Sequence, residues 1–410
     1  MQLVKSNSPP YTLLYIQNKK KKSKQKTMAG LYIHIPFCES RCIYCGFFST
    51  TSLDKRDAYV DALCREMKLR PVNEALGEPH TLSTVYLGGG TPSMLTPGQL
   101  SRLFQGIDDA YGDVLEADAE VTMECNPDDV SSLFCDFLRQ WPVNRISMGA
   151  QTFSDERLHF LHRRHKAEDV REAVIRLRDA GISNISIDLM FGFPGETLHD
   201  WQRDIDEALS LDVEHLSAYS LMYEEGTQLY QQLQKGKIKE IDEETYRSMY
   251  ELLIDRLTAA GYEHYEISNF ARPGRQSRHN SSYWDATPYI GIGAGAHSYK
   301  RTPQVVRSWN IANIPSYTSQ IMQGTLPSEG ETLDKATQYN DLITTTLRTR
   351  QGISLEQMEH VFGTTYLSML LKEAERHIHQ GTMKKENGSL SLTRNGLYVS
   401  DDIMADFMLV

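Results

Sequence analysis

The chain has 410 residues, 40% of them hydrophobic, and carries 43 lysines and arginines against 54 acidic residues, a net charge of −11; this length suits two domains, or one large α/β barrel with an appendage. No run approaches the ~18 consecutive apolar residues of a membrane span, and six cysteines are too sparse for a disulfide scaffold, so the sequence reads as soluble and cytoplasmic. Residues 1–27 hold seven lysines and no acid, which leaves 36 basic against 54 acidic residues in the body, near −18, a surface that repels nucleic-acid phosphates.

Residues 1–27 are expected to be a disordered basic tail or a misassigned start. "MAGLYIHIPF" at Met28 looks like a natural beginning, and the preceding segment lacks the apolar core and cleavage site of a signal peptide. Its lysine run also suits a tether to anionic lipid or nucleic acid, so peripheral membrane contact stays open.

Short β-type runs follow at residues 31–37, 84–91, 120–127, 145–152, 185–192 and 215–222, separated by helical patterns. In one of these, Asp242 caps a helix whose Tyr246, Met249, Tyr250, Leu253, Ile254 and Leu257 share a stripe that ends before Gly261. Another, around Val170, Ala173, Val174 and Leu177, stops at Gly181. Six strand-then-helix units predict a parallel sheet. Polar and glycine-rich residues gather at the carboxyl ends of the strands, where such folds build their sites. Six units in place of eight predict an α/β fold, an open (βα)6 partial TIM barrel over residues 28–268.

Residues 269–332 form an aromatic and glycine-rich linker region, and within it residues 278–299 show no helical period, so irregular backbone is expected there. Residues 333–410 read as helices followed by a hairpin at Asn387-Gly388, a C-terminal α+β region with a winged-helix-like module. Its eight basic and ten acidic residues favour a structural or docking role over DNA reading.

The chemistry concentrates in "PFCESRCIYCGFFST", residues 36–50, where Cys38, Cys42 and Cys45 fall within eight positions. A structural zinc site closes with four ligands, commonly in paired C-x2-C form, and no second pair follows. A redox pair needs two thiols and leaves the third unexplained. Three thiolates suit a [4Fe–4S] cluster with one iron left open. Cys64, Cys125 and Cys135 stand singly in apolar segments and read as buried structural thiols.

This C-x3-C-x2-C spacing directly after a first strand resembles the radical S-adenosylmethionine (SAM) enzymes. The resemblance implies that the open iron takes the amino and carboxylate groups of SAM, and that an electron passed through the cluster cleaves the sulfonium to a 5′-deoxyadenosyl radical. It further implies that Gly89, Gly90 and Thr91 of "GGGTPS" meet the amino group of SAM. Glu124, an acid in an apolar strand and costly there unless paired, would pair with that amino group. Gln151, Arg163 and Asp188 fall at matching places, Arg163 toward a carboxylate and Asp188 toward a ribose hydroxyl. Tyr32 and Tyr44, which flank the cysteines, read as stacking faces for the cofactor or as core, and Gly46 completes the expected SAM shell.

"LYIHIPFCESRCIYC", "GGGTPS", "GAQTF", "IDLMFGFPGET" and "YEISNFARPG" together resemble the oxygen-independent coproporphyrinogen III oxidases, HemN, and their relatives, the HemW haem chaperones. The bare lysine-rich tail, Tyr44 between the last two cysteines, and "HNSSYW" (279–284) favour HemW; Gly46 matches the oxidase branch. The HemW resemblance implies haem held at His279, Asn280, Tyr283 and Trp284, with His297 as a second ligand or a packing contact. Haem-accepting respiratory proteins and an electron donor are then the implied partners, with no nucleic acid. The alternative is a porphyrin-biosynthetic oxidase that decarboxylates coproporphyrinogen III to protoporphyrinogen IX. A winged-helix regulator with a redox-sensing cluster is a third reading, disfavoured by the acidic wing.

Overall fold

The computed structural model describes residues 27–409; the readings placed on the basic tail fall outside it, Thr27 excepted. The six expected strands form as β1 (Thr27–Ile35), β2 (His80–Gly89), β3 (Leu115–Cys125), β4 (Arg145–Gln151), β5 (Ile185–Phe191) and β6 (His215–Ser220). They pair in parallel and in chain order. Consecutive residues of β2 and β5 are buried on both faces, which is why these strands read as near-continuous apolar runs.

Helices return the chain between strands and are set by local capping. Thr96 and Gln99 make a capping box on the helix Pro97–Tyr111, and Thr197 and Asp200 make another on Leu198–Ser210. The helix expected after Asp242 runs Glu243–Ala259; the Asp242 side chain accepts from Thr245 N–H, and Met249, Tyr250, Leu253, Ile254 and Leu257 are buried.

The parallel run does not close on itself. β7 (Glu263–Glu266) and β8 (Asn269–Ala271) add antiparallel beyond β6. On the other side β9 (Tyr289–Ile292) pairs parallel with β1, followed by antiparallel β10 (His297–Lys300), β11 (Val306–Asn310) and β12 (Ser328–Thr332). β12 and β7 end this twelve-stranded sheet, so the barrel is open, as the six-unit count predicts.

Residues 278–299 differ from the irregular backbone expected of them, since they hold the helix Arg278–Trp284, β9 and the start of β10. The wider span 269–332 adds β8, β11, β12 and the helix Ile314–Met322. The strands are three to five residues long and the first helix seven, too short for a period to stand out.

Beyond residue 333, the helices Lys335–Thr346, Leu355–Phe362 and Thr364–His379 pack on a three-stranded sheet of β13 (Ile353–Ser354), β14 (Met383–Glu386) and β15 (Ser389–Leu392), with β15 in the middle. Asn387 and Gly388 both take positive φ, +50° and +77°, as the two-residue hairpin requires. Tyr339, Ile343, Leu370 and Leu390 belong to a core separate from that of the barrel.

Candidate functional site

A cavity of about 470 Å³ lies at the carboxyl ends of the parallel strands, where the fold class places its chemistry. The loop after β1 enters it. Cys38 N–H donates to Thr50 O at 2.9 Å and Thr50 N–H returns a bond to Pro36 O at 2.7 Å, which pinches the loop at its base. The glycine loop after β2 is tied to the same segment: Gly90 N–H donates to Ile35 O at 2.9 Å and Thr91 N–H to Phe37 O at 2.8 Å. A Cβ on Gly90 would lie 2.8 Å from both Ile35 O and Pro36 C, so close backbone approach requires glycine there.

All three cysteines line the cavity as free thiols. Thr91 Oγ1 donates to Cys38 Sγ at 3.7 Å and Arg163 Nη1 to Cys42 Sγ at 3.5 Å. Burial pushes the Cys38 and Cys45 thiols up. A bound metal reverses that logic, because coordination deprotonates the thiol outright.

Tyr44, Gly46, Gly89, Gly90, Thr91, Glu124, Gln151, Arg163 and Asp188 line the same cavity. Glu124 on β3 accepts from Tyr86 Oη–H at 2.7 Å and from Gly89 N–H at 3.1 Å; burial pushes its carboxyl up to about 7. Asp188 on β5 is likewise pushed up by burial, and Ser147 Oγ–H reaches both its oxygens at 3.4 Å. Gln151 takes φ +67° where the register between β4 and β5 shifts, a bulge that re-aims the last side chain of the strand. Arg163 Nη2–H donates to Asn126 Oδ1 at 2.6 Å and Gly149 O at 2.7 Å, and its buried Nε has no partner among the described residues.

Sequence reasoning misses Tyr86, Asn126 and Ser147, because each acts by holding a charged residue that lies far along the chain. Asn280 of the "HNSSYW" segment also lines this cavity.

Two of the expected residues do not line this cavity. The Tyr32 hydroxyl bonds His34 Nδ1 at 2.9 Å, and its ring stacks on Tyr86 and His279 at 6.2 and 6.3 Å. His279 presents no free nitrogen. It is 1% exposed, Nδ1 bonds Thr84 Oγ1 at 2.8 Å, Nε2 bonds Tyr283 Oη at 2.9 Å, and burial lowers its pKa to about 3. The first residues of the short helix turn this imidazole inward, where Gly30 leaves it room. Tyr283 and Trp284 do face open space, a cleft of about 1290 Å³ that also touches His297 and the C-terminal helices.

Comparison with known proteins fits this geometry. Residues 32–208 match the Radical SAM superfamily and residues 333–399 the HemN C-terminal domain. The heme chaperone HemW of Bacillus subtilis (strain 168) is 34% identical over 386 residues, covering 93% of this chain and 99% of that protein. The chain belongs to the HemW family. HemW of Lactococcus lactis (strain IL1403) is 33% identical over 92% of this chain and 97% of its own length. The mouse radical S-adenosyl methionine domain-containing protein 1, mitochondrial, is 31% identical over 92% and 87%. Among solved structures, the coproporphyrinogen III oxidase HemN of Escherichia coli superposes with a TM-score of 0.78 over 93% of this chain and 90% of its own, at 23% identity, which establishes a shared radical SAM fold.

The radical SAM domain of a HemW protein implies a [4Fe–4S] cluster and SAM, and the donor set fits both. Cys38, Cys42 and Cys45 line one cavity as free thiols, a three-thiolate set that suits a cluster with one iron left open. Glu124 is a carboxyl matched to an amino group, and the orphaned Nε–H of Arg163 is matched to a carboxylate. No helix among the described residues is long and apolar enough to cross a membrane.

Proposed function

We propose that this HemW-family protein is a haem chaperone that binds a [4Fe–4S] cluster, SAM and haem, and passes haem to respiratory acceptor proteins. The observation that carries this reading is end-to-end similarity to proteins named heme chaperones, which extends through 99% of the Bacillus protein. An aromatic cleft with basic residues beside the cluster cavity supports it: Tyr283, Trp284, Tyr289 and Tyr299 offer ring faces, and Arg301 and Arg350 offer charge for acid side chains.

In this reading Cys38, Cys42 and Cys45 would hold a [4Fe–4S] cluster with one iron left for SAM, and the bound cluster would supply a single electron to the sulfonium. Glu124 accepts from the amino group of SAM, Gly89, Gly90 and Thr91 bring backbone beside it, Arg163 binds the carboxylate and Asp188 the ribose. Gln151, Tyr44 and Gly46 complete the wall. Tyr283 and Trp284 face the haem, and His279 orients Tyr283. An electron donor serves the cluster, the acidic body excludes nucleic acid, and the protein works in the cytoplasm, with peripheral contact at the membrane where respiratory acceptors reside.

The test uses one anaerobically reconstituted sample for two measurements, haem transfer to a haem-depleted respiratory enzyme and conversion of coproporphyrinogen III in the presence of SAM and reductant. Transfer without conversion is expected. Catalytic turnover to protoporphyrinogen IX would replace this reading with the oxidase.

A further inference from the structure

The short strands β9 to β11 build a surface that the sequence does not announce. Pairing places Tyr299 opposite both Tyr289 and Arg307, and His297 opposite Trp309. Directly opposed residues share a face of the sheet, so Tyr289, His297, Tyr299, Arg307 and Trp309 form one continuous aromatic carpet with an imidazole and a guanidinium set into it. The Tyr283 ring stands edge-on to Tyr289 at 4.9 Å and walls one side.

Two cavities meet on this carpet. The large cleft and a second cavity of about 780 Å³ share Tyr283, Tyr289 and His297. The second cavity also shares Gly46 and Phe47 with the cluster cavity, so it begins one residue past Cys45. Its volume lies within the ~300–1,000 Å³ of ordinary small-molecule sites.

Three imidazoles lie around this space, and their nitrogens differ. His34 is engaged at both, by Tyr32 Oη at 2.9 Å and Phe48 O at 3.1 Å. His279 is engaged at both, by Thr84 and Tyr283. His297 is exposed, and neither ring nitrogen carries a hydrogen bond among the described residues; its ring packs beside Trp309 at 5.9 Å. Partial burial and the nearby Arg307 charge lower its pKa, so the ring is neutral at pH 7 and offers a lone pair. Arg301 and Arg350 line the adjoining cleft without an ion pair among the described residues, whereas Arg307 is held by Asp341 at 2.7 Å.

We infer that His297, on the aromatic face of β9 to β11, is the axial ligand to haem iron, and that His279 of the H-N-x-x-Y-W motif is a positioning residue that holds Tyr283 against the macrocycle. The inference rests on the haem-chaperone reading and sharpens it, replacing the motif imidazole with one eighteen residues downstream, and leaving the carpet of tyrosines and Trp309 to cover the ring while Arg301 and Arg350 meet its carboxylates.

Ferric haem and iron-free protoporphyrin IX are titrated into the wild type, His297→Ala and His279→Asn, each carrying its cluster, with absorption and electron paramagnetic resonance spectra of the bound haem as readouts. The wild type should show an imidazole-ligated haem. His297→Ala should lose that signature and bind haem about tenfold or more weakly, bind iron-free protoporphyrin IX like the wild type, and regain the signature when free imidazole is added. His279→Asn should keep the imidazole signature. A His297→Ala protein with wild-type spectrum and affinity, or loss of the signature only in His279→Asn, overturns the ligand assignment and leaves the chaperone reading standing. A wild type that binds no haem overturns both.

Discussion

The hydroxyl of Tyr86 lies 2.7 Å from Oε1 of Glu124, and the backbone N–H of Gly89 lies 3.1 Å from Oε2, so β2 holds a buried carboxyl of β3 at both oxygens. Burial raises its pKa from 4.5 to about 7. Below pH 4.5 folded and unfolded chains both hold the proton. Between 4.5 and 7 only the folded chain does, so this group's contribution to stability falls as pH rises. The full penalty, on the order of 3 kcal/mol, is reached above 7 in the ligand-free protein. In the cluster-free protein the amino group of S-adenosylhomocysteine is an ammonium and needs the ionised form of Glu124, so affinity for this ligand should rise about tenfold from pH 6 to pH 8. Calorimetric titration of wild type and Glu124→Gln reads this; the variant should bind weakly and without the pH dependence, and a flat wild-type profile would remove Glu124 as the ammonium's partner.

Arg163 links the cluster loop to the sheet through Cys42, Asn126 and Gly149. Arg163→Ala leaves a buried carbonyl and an amide oxygen without donors, and should cost about 2–4 kcal/mol in denaturant unfolding. The loss of a cation beside Cys42 should also make the reconstituted cluster harder to reduce, because positive charge favours the more negative reduced state. A redox titration reads the second effect independently of the first.

The legible part of this protein is the part whose signal is local. "TVYLGGGT" combines an apolar run with glycines at its end, and the strand and its ligand-facing turn follow from eight adjacent residues. The cysteine triad is equally compact. Tyr86 and Asn126 are silent in sequence, since their roles depend on Glu124 and Arg163, 38 and 37 positions away. The surroundings of His279 are only half legible: Tyr283, four residues on, bonds one ring nitrogen, but Thr84, which bonds the other, lies 195 positions away. Short strands such as β10, "HSYK", gain their conformation from a neighbouring sheet edge rather than from propensity.

Gly90 makes a second stability test. A methyl group there meets only backbone, Ile35 O, Pro36 C and Phe37 N, all within 2.9 Å, and none of these can rotate away. Gly90→Ala should destabilise by about 1–3 kcal/mol and lower the iron retained, because the segment displaced leads into Cys38. Gly98, in the first turn of the helix Pro97–Tyr111, has nothing within 4 Å of its Cβ position; Gly98→Ala should be neutral or stabilising by up to about 1 kcal/mol. Thermal unfolding and iron analysis of the pair separate local crowding from general sensitivity.

Cys42 decides the nature of the metal. Its sulfur is the one approached by Arg163, and with Cys38 and Cys45 it lines a single cavity. Three irons need three thiolates, so deleting one leaves a second iron without protein ligand, and the cluster should not survive isolation. Anaerobic reconstitution of the wild type should give a brown protein with about four irons per chain, and Cys42→Ala a colourless one with its secondary structure intact by circular dichroism. Cys125→Ala, which removes a buried thiol of the neighbouring strand, should keep the colour. A colourless wild type loaded with zinc would exclude the cluster, and the roles assigned to Glu124 and Arg163 would then have no ligand to act on.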